Sequence, residues 1–426
     1  MAAPARQAAV IGGNRIPFAR SNGPYFEASN QDMLTATLDG LAARFGLGGE
    51  RVGEVVAGAV LKHSRDFNLT RECTMGSAFD SATPAFDIQQ ACDTGLQAAL
   101  LVASNIALGK IEVGIAGGVD TTSDAPVAIN EDLRDVLMEA NRTKSATGRI
   151  KLLGRLRPGQ IVPEIPRNSE PRTGMSMGEH AAVTAEQWEI GREEQDELAA
   201  GSHQRMAKAW EDGFFDDLVT PYLGLERDNN LRPDSSAEKL AKLKPVFGDE
   251  ENGTMTAGNS TPLTDGASAV LLASDEWAEQ RGLPVLAHIV DWETAAVDYV
   301  HGEDGLLMAP VYAVPRLLQR NNLTLDDFDF IEIHEAFASQ VLATLKAWED
   351  PEFCREKLGL DGAFGTVDRG KLNPHGSSLA AGHPFAATGG RILATTAKML
   401  DEKGGGRSLI SICAAGGQGV VAIVEK

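Results

Sequence analysis

Short apolar runs of strand length alternate with helical patterns at both ends of this chain, and that alternation restricts it to layered α/β architectures. In the first third, strand-like runs at 7–11, 54–60 and 111–119 frame helical patterns at roughly 30–45 and 94–108. In the last third the same grammar returns: strand-like 285–291, helix 309–320, strand 329–333, helices 335–348 and 388–401, and strands 408–413 and 419–424. From about 126 to 250 the character changes to a charged stretch rich in Pro and Arg. Within it Gly191-Arg192-Glu193-Glu194-Gln195-Asp196 opens a helix running to Trp210, with acids in its first turn as the dipole favours. Regular patterning resumes near Thr254 with Ala267-Ser268-Ala269-Val270-Leu271-Leu272. The expectation is two similar α/β units around a long insertion. The first comprises 1–125 with 251–284, the insertion 126–250, and the second 285–426. A length of 426 residues also exceeds what one simple core accommodates.

Charge and cysteine usage exclude several functions. With 39 basic and 60 acidic side chains the net charge is −21, which speaks against a nucleic-acid partner. Basic residues are nevertheless concentrated at Arg142, Lys144, Arg149, Lys151, Arg155, Arg157, Arg167 and Arg172, where a small anion or an acidic surface finds partners. Apolar residues in the same region (Val136, Leu137, Met138, Ile150, Leu152, Leu153, Leu156, Ile161) predict an ordered excursion rather than a disordered linker. Cys73, Cys92, Cys354 and Cys413 form no CxxC and no zinc-spaced cluster, so a reducing compartment and no metal are expected. No run approaches a membrane span, the N-terminus shows no signal-peptide pattern, and a cytoplasmic location is the expectation.

Four residues carry candidate chemistry. Cys92 lies where the run Ala85-Phe86-Asp87-Ile88 gives way to a small-residue helical pattern, so free N–H groups and the helix dipole would favour a thiolate there. His334 in His334-Glu335-Ala336-Phe337 follows Phe330-Ile331-Glu332-Ile333, at the carboxyl end of a strand, where open sheets bind ligands. His383 stands in Gly382-His383-Pro384, after a loop of small residues that also contains His375. Cys413 ends a strand before Ala414-Ala415-Gly416-Gly417-Gln418-Gly419. Taken singly, each has a structural explanation: a packed cysteine, a hydrogen-bonded histidine, a simple turn. Their order along one chain carries more weight.

With these motifs in that order the chain resembles the thiolases, over essentially its whole length. The resemblance runs from Arg15-Ile16-Pro17-Phe18 through Ala116-Gly117-Gly118-Val119-Asp120, Met177-Gly178, Ala257-Gly258-Asn259-Ser260-Thr261 and Thr264-Asp265-Gly266-Ala267 to the C-terminal motifs. It implies an α/β thiolase-like fold of two fused βαβαβαββ halves in an α/β/α/β/α arrangement, each a five-stranded sheet between helices, with an inserted loop domain. The basic 149–157 stretch, Pro163-Glu164-Ile165-Pro166 and His334 are most similar to the β-subunit of the fatty-acid oxidation multienzyme complex. Implied partners are therefore 3-ketoacyl-CoA, CoA, a second or fourth copy of the chain, and a hydratase/dehydrogenase α-subunit. The 142–157 stretch would dock that subunit or a membrane surface, or else form a wall of the ligand site.

The resemblance also implies roles. Cys92 is the nucleophile that carries the acyl group, and His383 is its base. Cys413 moves the proton, and His334 assists at the enolate oxygen, directly or through water. Backbone N–H groups of Cys92 and near Ala415 form an oxyanion hole. Coenzyme A is a substrate rather than a resident cofactor, contacted by Met177, Arg232 and Thr261. Ala415, Ala386 and Ser176 depart from the commoner family residues Gly, Gly and His. Alternatives are a biosynthetic acetoacetyl-CoA thiolase using the same residues, a decarboxylating ketoacyl synthase, against which Cys413 counts, and a non-catalytic complex subunit.

Overall fold

A computed structural model describes residues 6–249 and 253–426. The boundary expected between 250 and 251 lies outside those residues. Strands β1 (Ala8–Arg15), β2 (Glu54–Ala57), β3 (Ala85–Asp87), β4 (Val113–Asp120) and β5 (Thr264–Ala273) form the sheet of the first half. Strands β6 (Ala287–Ala296), β7 (Phe330–Ile333), β8 (Arg407–Ala414) and β9 (Gln418–Glu425) form that of the second. The order is β7-β8-β9-β6-β1-β5-β4-β2-β3, so the halves are joined at a seam. There Ala8, Ala9 and Val10 pair antiparallel with Ile289, His288 and Ala287.

The central strands are apolar on both faces because each face covers a different core. In β5, Val270 and Leu272 enter the core between the halves while Ala269 and Leu271 enter an outer one. In β9, Val420, Ala422 and Val424 face the middle, and Val421 and Ile423 face the other outer core. Helix α1 (Asn30–Phe45) packs outside the first half, started by the Ser29/Asp32 capping box and stopped at Gly46 with φ +66°. Helices α2 (Thr94–Ala107) and α9 (Thr388–Lys403) share the middle layer, and α7 (Ala309–Asn321) covers the second half. This is the expected α/β/α/β/α stack. The middle helices meet backbone to backbone: a Cβ on Gly389 would lie 2.1 Å from Leu96 N, and one on Gly95 would lie 2.6 Å from Ala386 O.

One detail differs from expectation. The second half has four of the named strands, and its fifth place is reduced to a parallel bridge between Ile331 and Leu372. Asn373, at φ +45°, turns the chain away, and its amide takes over the ladder by accepting from Ile333 N and donating to Ile333 O, both at 2.9 Å. A side chain therefore finishes what the fifth strand begins.

The stretch expected as an insertion contributes helices α3 (Glu131–Arg142), α4 (Ala146–Leu153), α5 (Met177–Gln187) and α6 (Arg192–Glu211). Order is present at α3 and α4, but of their apolar residues Leu152 alone is buried, and Leu137, Met138, Ile150 and Leu153 face outward. At the end of α6 and just beyond it, Trp210, Phe214 and Phe215 enter the central core. The buried pair Arg15–Asp228 (2.6 Å) ties the following loop to β1. A helix α8 (Ala338–Glu349) follows the His334 loop.

Candidate active site

Cys92, His334 and Cys413 all stand at carboxyl ends of strands in parallel pairs, those of β3, β7 and β8. At the first, the chain leaves β3 and reaches Cys92 through Ala91, held at φ +46°. That left-handed conformation is strained for alanine and presents the next side chain outward. Thr94 clamps the turn, its hydroxyl donating to Ala91 O (2.7 Å) and accepting from Gln90 N (2.9 Å). Helix α2 begins at Thr94, two residues after the thiol.

His383 closes on this thiol from the other half. Its Nε2 lies 3.0 Å from Cys92 Sγ, and its Nδ1 lies 2.6 Å from Thr388 Oγ1. Its loop is fixed at both sides: Thr264 Oγ1 accepts from His383 N (3.1 Å), and buried Asp120 accepts from Ala386 N (2.8 Å) as well as from Val60 N and Leu61 N. The His334 ring packs against that of His383 with centroids 4.2 Å apart. His334 Nδ1 is 2.7 Å from Ser378 Oγ, and its Nε2 is buried with no hydrogen-bond partner among the described residues. Glu335 holds the loops in place by accepting from Ser202 Oγ, Asn373 Nδ2 and Leu379 N.

Cys413 is buried at the end of β8, close enough for a charge on Cys92 to act on it. The following turn bends through Gly416 and Gly417, at φ +80° and +71°, and brings the Ala415 N–H to the Cys92 sulfur. Glu170 braces the turn from the insertion, accepting from Gly416 N (2.6 Å) and from Tyr299 OH (2.8 Å). Ala415, in place of glycine, keeps that donor.

Electrostatics correct the expectation of a resting thiolate. Burial pushes the Cys92 thiol well above its ordinary value and Asp93 and Asp120 add to that, outweighing the N–H groups of Ala415 and Cys92 itself. Burial also raises Cys413 and lowers His383 to about 3, with the Arg391 charge helping to lower it. The resting pair is thiol and neutral imidazole. Asp93, fully buried and without a hydrogen-bond partner for either oxygen among the described residues, is pushed well above the carboxylate range by burial.

All four residues singled out from the sequence therefore meet. In space, Cys92 Sγ and one ring nitrogen each of His334 and His383 lie within 4.8 Å of one another, a proximity that sequence spacing did not disclose. Of the residues expected at coenzyme A, Thr261 donates from its N and Oγ1 to Ala336 O beside the His334 loop. Met177 opens α5 and packs on the outer core near Phe247. Arg232 is exposed, its guanidinium donating to Asn229 O and Leu231 O. Ser176 is the N-cap of α5, and His375 lies against Phe214, with centroids 4.1 Å apart. Sequence reading assigned no role to Glu170, Thr388, Ser378 or Asp120, although Asp120 closes the 116–120 motif and Ser378 lies in the small-residue loop before His383.

Comparison with known proteins bears on the whole chain. Residues 8–276 match the family model "Thiolase, N-terminal domain" and residues 283–426 match "Thiolase, C-terminal domain". Curated 3-ketoacyl-CoA thiolases of Yersinia pestis (strain Pestoides F) and Yersinia pseudotuberculosis serotype O:3 (strain YPIII) are each 40% identical over 422 residues, covering 98% of this chain and 96% of theirs. Among solved structures, Bacillus anthracis acetyl-CoA acetyltransferase superposes with a TM-score of 0.81 at 31% identity, covering 99% of this chain and 98% of that one. Human mitochondrial 3-ketoacyl-CoA thiolase in complex with CoA gives 0.81 at 28%, over the same shares. Two matched domains spanning nearly every residue, around a Cys–His pair drawn from both halves, make this chain a member of the thiolase family.

Proposed function

We infer that the chain is an acyltransferase that cleaves 3-ketoacyl-CoA with CoA, releasing acetyl-CoA and a shortened acyl-CoA. The observation that carries this is the 3.0 Å contact of Cys92 Sγ with His383 Nε2 beside Cys413 and the Ala415 N–H. As Cys92 attacks the 3-keto carbon, its proton passes to His383 Nε2. The tetrahedral alkoxide is met by the N–H groups of Cys92 and Ala415. Cleavage of the C2–C3 bond leaves the acyl group on Cys92 and expels acetyl-CoA as its enolate. His383 and His334 stabilise the enolate oxygen while Cys413 gives C2 its proton. Cys413 then takes the proton of incoming CoA, whose thiolate attacks the acyl-Cys92 thioester. The Cys92 thiolate so expelled takes its proton back from His383 Nε2, and each cysteine ends where it began.

CoA enters as a substrate. We assign its contacts to Met177, Thr261 and Arg232 and treat 126–250 as the unit that receives it, set between halves 1–125 with 251–284 and 285–426. We also propose a role in fatty-acid β-oxidation in the cytoplasm, as a homodimer or homotetramer. Among the described residues no helix is long and apolar enough to cross a membrane. The outward apolar residues of α3 and α4, with Arg142, Lys144, Arg149 and Lys151 beside them, support a docking surface for an α-subunit or a membrane.

The 31% identity to an acetyl-CoA acetyltransferase favours one second reading, condensation of two acetyl-CoA molecules by the same groups. Kinetics separate the two. Thiolysis of 3-ketoacyl-CoAs that is flat or rising with chain length is expected, and activity confined to acetoacetyl-CoA defeats the first reading. Cys92→Ala should lower turnover by roughly 10⁴-fold or more with the fold intact. Retained turnover would remove Cys92 from the chemistry.

A further inference from the structure

Hydrogen-bond bookkeeping around the two imidazoles goes further than their proximity. A guanidinium only donates. Buried Arg391 places Nη2 2.9 Å from Ser378 Oγ and 3.1 Å from Ser377 Oγ, so Ser378 must accept from it. The single proton of the Ser378 hydroxyl is then free for its other partner among the described residues, His334 Nδ1 at 2.7 Å. A nitrogen that accepts carries no proton. In a neutral ring the proton must therefore sit on Nε2, the buried nitrogen without a protein partner.

The same count at His383 gives the opposite answer. Thr388 has a second acceptor, Pro384 O at 3.3 Å, to which its hydroxyl donates. It can then accept from His383 Nδ1–H at 2.6 Å. That leaves the Nε2 lone pair toward the Cys92 thiol.

We propose that Arg391, acting through Ser378, locks His334 in the Nε2–H tautomer as a standing donor to the substrate oxyanion, while Thr388 locks His383 in the opposite tautomer as proton acceptor for Cys92. Two adjoining imidazoles, tilted by 48°, thus hold different duties because their outer partners differ: an arginine-fed serine behind one, a threonine with its own carbonyl behind the other. Burial keeps both rings neutral, so each duty is available before substrate arrives. Arg391 and Ser378 touch no substrate; they are positioning residues. The orphaned donor at His334 Nε2 then has its explanation, since a buried polar group without a protein partner is rare unless something else fills the place. The inference rests on the thiolytic reading and assigns its second histidine a direct donor role without an intervening water.

The test is nitrogen-15 NMR of the histidine rings in the full-length protein, together with Ser378→Ala and Ser378→Thr. In the unmodified protein, His334 should show a protonated Nε2 and a bare Nδ1, with the reverse at His383. Ser378→Ala should lose that bias at His334 and lower kcat by roughly 100-fold with KM nearly unchanged, the loss of one oxyanion donor. Ser378→Thr, which keeps the hydroxyl, should recover most of the rate. The Cys92 alkylation rate should be the same in all three, so a failed relay is distinguishable from a misassigned nucleophile. A protonated Nδ1 at His334, or Ser378→Ala with undiminished kcat, overturns the proposal. If that variant does not fold, the tautomers of the unmodified protein decide alone.

Discussion

Burial raises the Cys92 thiol and lowers His383 to about 3, so the proton between them moves only when a carbonyl is there to be attacked. Protection against stray alkylation follows, because the thiolate is the reactive form. Iodoacetamide should modify Cys92 at a rate that climbs with pH through 8 and 9, without levelling off near neutrality. A plateau below pH 8 would mean a resting thiolate and would restore the expectation from the sequence. That expectation failed for a physical reason: a helix dipole can be inferred from a run of residues, but the desolvation that outweighs it depends on the whole fold. Cys92, His334 and Cys413 were legible because each follows or ends a strand-like run, and His383 because it stands in a loop of small residues. Glu170 was not, since the turn it braces is 246 residues away and nothing around Ser169-Glu170-Pro171 points there.

At the scale of elements, local patterns gave α6 and α9 to within two residues of their ends, because their apolar spacing and caps are local facts. The His334 helix was expected from 335 yet starts at Ala338, as Glu335 is drawn into the loop network. The missing fifth strand was invisible because an asparagine amide replaces a backbone ladder only in three dimensions. Helices α3 and α4 were foreseen as ordered, but not which way their apolar side chains face. Ile150 and Ile161 are 69% and 59% exposed, against the ordinary preference for burial. Replacing both with serine should weaken sedimentation with anionic vesicles about tenfold or more, given the apolar area withdrawn from the contact. Thiolysis by the isolated chain should stay unchanged. If the unmodified protein does not sediment even at low salt, the membrane reading fails.

Over the whole molecule, two sets of buried groups pull stability in opposite directions. Burial lowers His383 to about 3, His203 to about 4, and His334 well below its ordinary value, so the unfolded chain binds more protons below about 6.5. Burial raises Asp120 to about 7, Glu332 to about 8 and Asp93 well above the carboxylate range, so there the folded chain binds more protons above about 4.5. Between roughly pH 4.5 and 6.5 the two sets offset one another. From 6.5 to 8 the histidines are neutral in both states while the acids must still ionise, so stability falls by up to about 1.4 kcal/mol per pH unit for each carboxyl. The melting temperature should peak between pH 5 and 6.5 and decline toward 8. A steady rise over pH 5–8 would contradict it.

The seam between β1 and β6 also governs how the chain is made. Once β6 leaves the ribosome it can close the open edge of the first half, but its own far edge waits for β9. Some 120 residues, from Val297 to Gly417, must be translated in between. At about 5–20 residues per second that is on the order of 10 s with an unpaired strand edge. Nascent chains of this protein therefore have a defined period of exposure to chaperones, and it ends only when β9 has emerged and paired with β6.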